Sequence, residues 1–141
     1  MLFERASDIP EYWSKFVDDV LHDSPKFVNA NERDVFVSLN LEFMNILLEN
    51  IKFNVLIEEE EGKLFGSIED FWFVKSANNL DVLLMKLANE LKDFAFDYFK
   101  ELSLYKNSPD FKNIFPKITK ALISKDIDMI IGSFEIEHQS S

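Results

Sequence analysis

Apolar residues between positions 78 and 107 recur at three- and four-residue steps: Leu80, Leu83, Leu84, Leu87, Leu91, Phe94 and Tyr98. That spacing is one face of a helix. Val82, Met85, Phe96 and Phe99 widen the stripe, while Asp81, Lys86, Glu90, Asp93, Asp97 and Lys100 fall mostly off it. No Pro or Gly interrupts the stretch, and Asn78 or Asn79 offers a side chain that can accept from the free amides of a first turn. The spacing predicts one helix of roughly 40 Å. So wide a stripe must cover a sheet, another helix or a second subunit.

Shorter patterns fill the rest of the chain. Residues 1–8 read as a loose start. Ile9 to His22 reads as a helix with Pro10 in its first turn and Trp13, Phe16, Val17, Val20 and Leu21 on its apolar face. Lys26 to Leu39 reads as a hairpin, with Phe27 and Val28 entering a polar turn and Val35, Phe36 and Val37 leaving it. Asn40 then caps a helix over Leu41 to Ile51. Phe53, Val55 and Ile57 alternate with Asn54 and Leu56. Glu58 to Lys63 forms a polar turn, Leu64 to Ile68 returns, and Trp72, Phe73 and Val74 make a third apolar run. After a break at Asn107 to Asp110, a further helix covers about Asp110 to Ser124, kinked or restarted at Pro116. Asp126 to Phe134 fits a final helical turn or an edge strand, and the last five residues are expected to be disordered. The hairpins are too short for parallel crossovers, so the fold class is α+β with antiparallel pairing.

Composition narrows what such a fold can do. At 141 residues and 47% hydrophobic, the chain can bury a real core as one domain or two small lobes. It has no Cys, which excludes disulfides, cysteine-ligated zinc and a thiol nucleophile. The start shows no basic segment followed by an apolar run, and no uncharged apolar stretch approaches about 18 residues, so a cytoplasmic protein without membrane contact is expected. The net charge is −11, and residues 1–51 alone hold ten acids against four bases. Such a chain repels nucleic acid and anionic lipid and attracts basic partners, although the same charge also serves solubility.

Little catalytic chemistry is on offer. His22 and His138 are the only imidazoles, one at a helix end and the other in the tail. Gly62, Gly66 and Gly132 are isolated, so no phosphate-binding glycine loop exists. The run Glu58 to Glu61 sits at a hairpin tip, where solvated carboxylates protect a sheet edge. Asp126-x-Asp128 opens like a calcium loop but places Ile130 and Ile131 where an oxygen ligand and a Gly belong. Trp72 and Phe73 lack the surrounding bases of a nucleic-acid stacking platform. The reading is a non-enzymatic binding protein with no cofactor and no metal.

Three ordered segments carry a resemblance. PKFVNANERDVFVSLNLEFMNIL is similar to a hairpin-then-helix lobe of Phd/YefM-like antitoxins. FNVLIEEEEGKLFGSIEDFWFVKSANNLDVLLMKLANELKDFAFDYF is similar to the hairpin, third strand and helix of a HicB-like domain. LYKNSPDFKNIFPKITKAL, through Tyr105, Pro109, Pro116 and Leu122, resembles the tail that follows. The set spans about residues 25–123 and resembles bacterial antitoxins often labelled RelE/RelB-type. It implies a Phd/YefM-like helix-hairpin-helix lobe over 1–51. Over 52–141 it implies a HicB-like three-stranded antiparallel sheet packed on the long helix, with a C-terminal helix.

The resemblance further implies an antitoxin that neutralises a small basic toxin, RNA-cleaving in type, by steric and electrostatic occlusion. Residues 125–137 are the expected toxin contact, with Ile127, Met129, Ile130, Ile131 and Phe134 as apolar anchors beside Asp126 and Asp128. The alternative for that segment is docking onto its own core. A second implication is a DNA-binding autorepressor using residues 25–51, with Lys26, Asn31 and Arg33 at the operator; phosphate contacts need bases, and the local charge opposes this. A third is an immunity-type binding protein. The first lobe is too small to bury its own aromatics, so a homodimer or higher homo-oligomer is expected.

Overall fold

The computed structural model describes residues 3–31 and 33–139. The chain divides into two compact units, Met1–Glu49 and Asn50–Ser141.

The first unit begins with strand β1 (Phe3–Arg5), a 3-10 helix (Ala6–Tyr12) and helix α1 (Trp13–His22). Strands β2 (Lys26–Asn29) and β3 (Val35–Ser38) form the expected hairpin, and helix α2 (Leu41–Leu47) follows. The sheet runs β1-β2-β3, with β1 parallel and β3 antiparallel to β2. The described part of the expected loose start is therefore ordered. Three residues are too few to show a period of two, and the hydrogen bonds that hold β1 come from β2, more than twenty positions later. Asn40 caps α2 as expected: its Oδ1 accepts from the Phe43 amide at 2.9 Å, and its Nδ2 donates to the Leu21 carbonyl at 2.8 Å. That second bond ties the start of α2 to the end of α1. The buried core of this unit is small, comprising Ile9, Phe16 and Val28.

The second unit is built on strands β4 (Phe53–Glu60), β5 (Lys63–Ile68) and β6 (Val74–Ala77). Helices α3 (Leu80–Lys100), α4 (Leu102–Tyr105), α5 (Phe111–Ile123) and α6 (Ile127–Ile131) follow, and strand β7 (Phe134–Gln139) closes the unit. The sheet has four strands, in the order β6-β5-β4-β7, with β7 parallel to β4. This corrects the expected three-stranded antiparallel sheet. It also corrects the disordered tail, since Glu137, His138 and Gln139 pair with Leu56, Ile57 and Glu58; the final two residues lie outside the described part. The hairpin spacing was a sound guide to β4-β5, but it says nothing of a strand that returns after four helices. Helix α5 runs through Pro116 without restarting, and the long helix ends at Lys100 rather than Asn107.

Alternation sets the core. Phe53, Val55, Ile57 and Ile68 point to the helix layer and pack with Leu83, Leu87, Leu91, Ala95, Ile118 and Ile130. Each large aliphatic side chain so buried contributes about 1.5–3 kcal/mol. Gly66 lets β5 and α3 meet: a Cβ there would stand 3.0 Å from both Leu83 Cδ2 and Leu87 Cδ1. The β4-β5 loop is the pair Glu61-Gly62, at φ 52° and 79°, the left-handed geometry that matches strand twist in a tight hairpin. Asn79 caps α3 through the Val82 amide at 2.9 Å.

Candidate interaction surfaces

In the first unit, register puts Phe3, Phe27 and Val37 side by side across the sheet. Phe3 and Phe27 meet edge to face at 5.6 Å. All three are exposed, as is Val35 on the same face. On β3 the opposite face is open too, because Phe36 is also exposed. Among the described residues β3 pairs only with β2, which leaves its other edge free. Trp13 and Leu21 on α1, and Leu41, Ile46 and Leu47 on α2, are likewise exposed, Leu47 at 71%. A core of three buried residues cannot hide so much apolar surface, and an exposed strand edge beside it is a template for pairing with another chain.

The same unit uses its cations on itself. Lys15 Nζ lies 2.8 Å from Asp19, and Lys26 Nζ lies between Glu4 at 3.8 Å and Asp19 at 3.9 Å. The Lys15 hydrogen bond holds the Asp19 carboxyl below its ordinary range; desolvation opposes it, and the charges of Lys15 and then Lys26 add to the lowering. Tyr12 donates to Glu4, and that hydrogen bond, with lesser help from burial and nearby carboxylates, pushes the phenol up to about 12. Of the three residues suggested for DNA, Lys26 is thus flanked by carboxylates. Asn31 folds into its own turn, accepting from the Arg33 and Asp34 amides at 2.9 and 3.0 Å and donating to Asp34 at 2.8 Å. Arg33 stands exposed in that turn.

The suggested toxin-contact segment is split by burial. Asp126 caps α6, accepting from the Met129 amide at 3.0 Å. Ile130 is 0% exposed, and Ile127, Ile131 and Phe134 pack against the same core, Phe134 edge to face with Phe53 at 6.2 Å. Ile130 is thus enclosed by the unit's own core, whereas Ile127, Ile131 and Phe134 are half-buried against it. Asp128 and Met129 remain outside, Met129 at 45% exposure. His138, set aside from the sequence as part of the tail, lies on β7 and lines an open cleft of about 620 Å³ with Glu59, Glu61 and Leu64. Among the described residues no three His, Cys, Asp or Glu side chains converge as a metal site. No helix among them is long and apolar enough to cross a membrane.

Comparison with known proteins adds to this geometry. Residues 1–136 match the PHD_like family, described as an antitoxin of toxin-antitoxin, RelE/RelB, TA system. The fold is similar to a crystal structure of an antitoxin part of a proposed toxin/antitoxin system from Syntrophomonas wolfei subsp. wolfei. The two share 30% sequence identity and a TM-score of 0.91, with 99% of this chain and 100% of the other covered. Among curated proteins none matches significantly.

Proposed function

Because this chain belongs to the PHD_like family of antitoxins in RelE/RelB-type toxin-antitoxin systems, we propose that it neutralises a small basic toxin that cleaves RNA, and that it does so as a homodimer. The mechanism is occlusion. Apolar side chains seat against the toxin, and carboxylates take the places that RNA phosphates would occupy on its basic surface. The observation that carries this reading is the pairing of a −11 net charge with large apolar side chains left exposed. An acidic, partly apolar exterior is matched by a basic partner and mismatched to a nucleic acid. The free edge of β3, with Val35, Phe36 and Val37 exposed, supports pairing with a second copy.

The autorepressor reading gains no support from Lys26 or Asn31, whose side chains are engaged within the unit. The test uses the product of the gene adjoining this one. The purified product is expected to degrade RNA, to stop doing so when the full chain is added in equal amount, and to bind it more weakly as salt rises. An RNA-cleaving product that this chain neither binds nor inhibits at low salt would sink the reading.

A further inference from the structure

The charge of the second unit is unevenly placed. Residues 80–131, which hold its helices α3 to α6, carry eight acids and eight bases. The strand-bearing remainder, 50–79 and 132–141, carries eight acids against three bases. All of the unit's excess negative charge therefore belongs to the sheet and its connections.

The helices cover one face of that sheet, so strand alternation sends a second set of side chains to the opposite face. Register places Glu137, Leu56, Ser67 and Val74 in one row across β7, β4, β5 and β6, with Glu58 and Phe65 neighbours in the next. No Lys or Arg stands in either row. Leu56 and Phe65 are half-buried, and Val74 is 61% exposed. Together they line a shallow depression of about 250 Å³. Glu58, Glu135 and Glu137 are exposed on its β4-β7 side. The face is thus apolar toward β5 and β6 and acidic toward β7.

We propose that this open face of the second sheet, rather than α6, docks the toxin. The inference rests on the antitoxin reading above and adds the place of contact. The occupant is a basic protein. It sets an apolar side chain over Leu56, Phe65 and Val74 and directs Lys or Arg to Glu58, Glu135 and Glu137. Charge decides between occupants. A second copy of this chain would bring carboxylates against carboxylates, and a nucleic acid would bring phosphates, whereas a basic chain is attracted in both encounter and register.

The test measures association of the full chain with the purified product of the adjoining gene. Two variants address the face, Glu135→Lys combined with Glu137→Lys, and Val74→Asp. A third, Met129→Asp, addresses α6. Every substituted side chain is exposed. The double charge reversal is expected to slow association about tenfold at low salt, with the effect shrinking at high salt. Val74→Asp is expected to speed dissociation, and Met129→Asp to bind as the unaltered chain does. Amide hydrogen exchange in the complex supplies a second readout, with added protection expected in β4, β5 and β7. If the unaltered chain binds and the face variants bind equally well, or protection appears only in α6 or the first unit, the docking face is wrong while the antitoxin reading stands. If the unaltered chain binds nothing, the antitoxin reading fails and takes this face with it.

Discussion

Asp70 shows how much one residue can hold. It sits at φ 77°, in the left-handed region that Asp and Asn tolerate better than most residues. Its carboxylate accepts from Lys117 Nζ at 2.6 Å and Asn113 Nδ2 at 2.9 Å, fastening the loop before β6 to helix α5. The Lys117 hydrogen bond first, then that of Asn113 and the lysine's charge, hold the Asp70 carboxyl below its ordinary range despite partial burial. The folded-state value is the depressed one, so the stabilisation is present above the unfolded value near about 4 and is lost as pH falls through the folded value. Asp70→Asn keeps the backbone tolerance and removes the charge. It should cost about 1 kcal/mol or less at neutral pH, the screening of a partly exposed pair being included. It should also flatten the acid side of the stability profile below pH about 4, measured by urea unfolding at stepped pH. An unchanged acid limb would mean the pair contributes nothing. Neither this pair nor the need for Gly66 is legible in the sequence. Asp70 and Lys117 are far apart along the chain, and Gly66 is required only because α3 happens to cross β5 there. Gly62 is different: it follows four glutamates between two apolar runs and marks a turn on sight.

At the scale of elements, α6 is where local pattern and tertiary role part company. Ile127, Met129, Ile130 and Ile131 read as a greasy segment in search of a partner, and the partner of most of them is the molecule's own core. Ile130→Ala should therefore cost about 2–5 kcal/mol, as truncation of a fully enclosed aliphatic side chain does. Met129→Ala should stay within about 0.5 kcal/mol. Equal stabilities for the two variants in denaturant titration would show that α6 is not docked. The elements that sequence marks well are those whose evidence is local. Helix α3 has seven evenly spaced apolar positions and a capping Asn79, and the β4-β5 hairpin has alternation on both arms of a tight turn. Strands β1 and β7 lack such evidence, because each is defined by a parallel partner far along the chain, and β1 has only three residues. The acidic open face of the second sheet was half visible, since the alternation that buries Val55 and Ile57 also turns Leu56 and Glu58 outward. What periodicity could not show is that β7 would lie beside β4 and add Glu135 and Glu137 to the same side.

For the whole molecule, two proposed associations respond to salt in opposite ways, and this separates them. Each chain carries −11, so a homodimer through β3 must bring like charges together while covering Val35, Phe36 and Val37. Raising ionic strength from about 0.01 M to about 1 M shortens the screening length from about 30 Å to about 3 Å. It also strengthens the burial of apolar surface when the salt is an excluded one such as sulfate. Self-association should therefore tighten with salt. Binding of a basic toxin draws on attraction between opposite charges and should loosen over the same range. Light scattering of the chain alone, set beside titration with its partner, reads both trends. Phe36→Asp adds an independent arm: it places a charge on an exposed strand-edge position outside the buried core, so the chain should stay folded by circular dichroism yet scatter as a monomer. A chain that is monomeric at every salt concentration, with or without Phe36→Asp, would mean that the apolar face of the first unit is not a self-association surface. A dimer that persists in Phe36→Asp would move the contact to α1 or α2, where Trp13, Leu21, Leu41, Ile46 and Leu47 are also exposed.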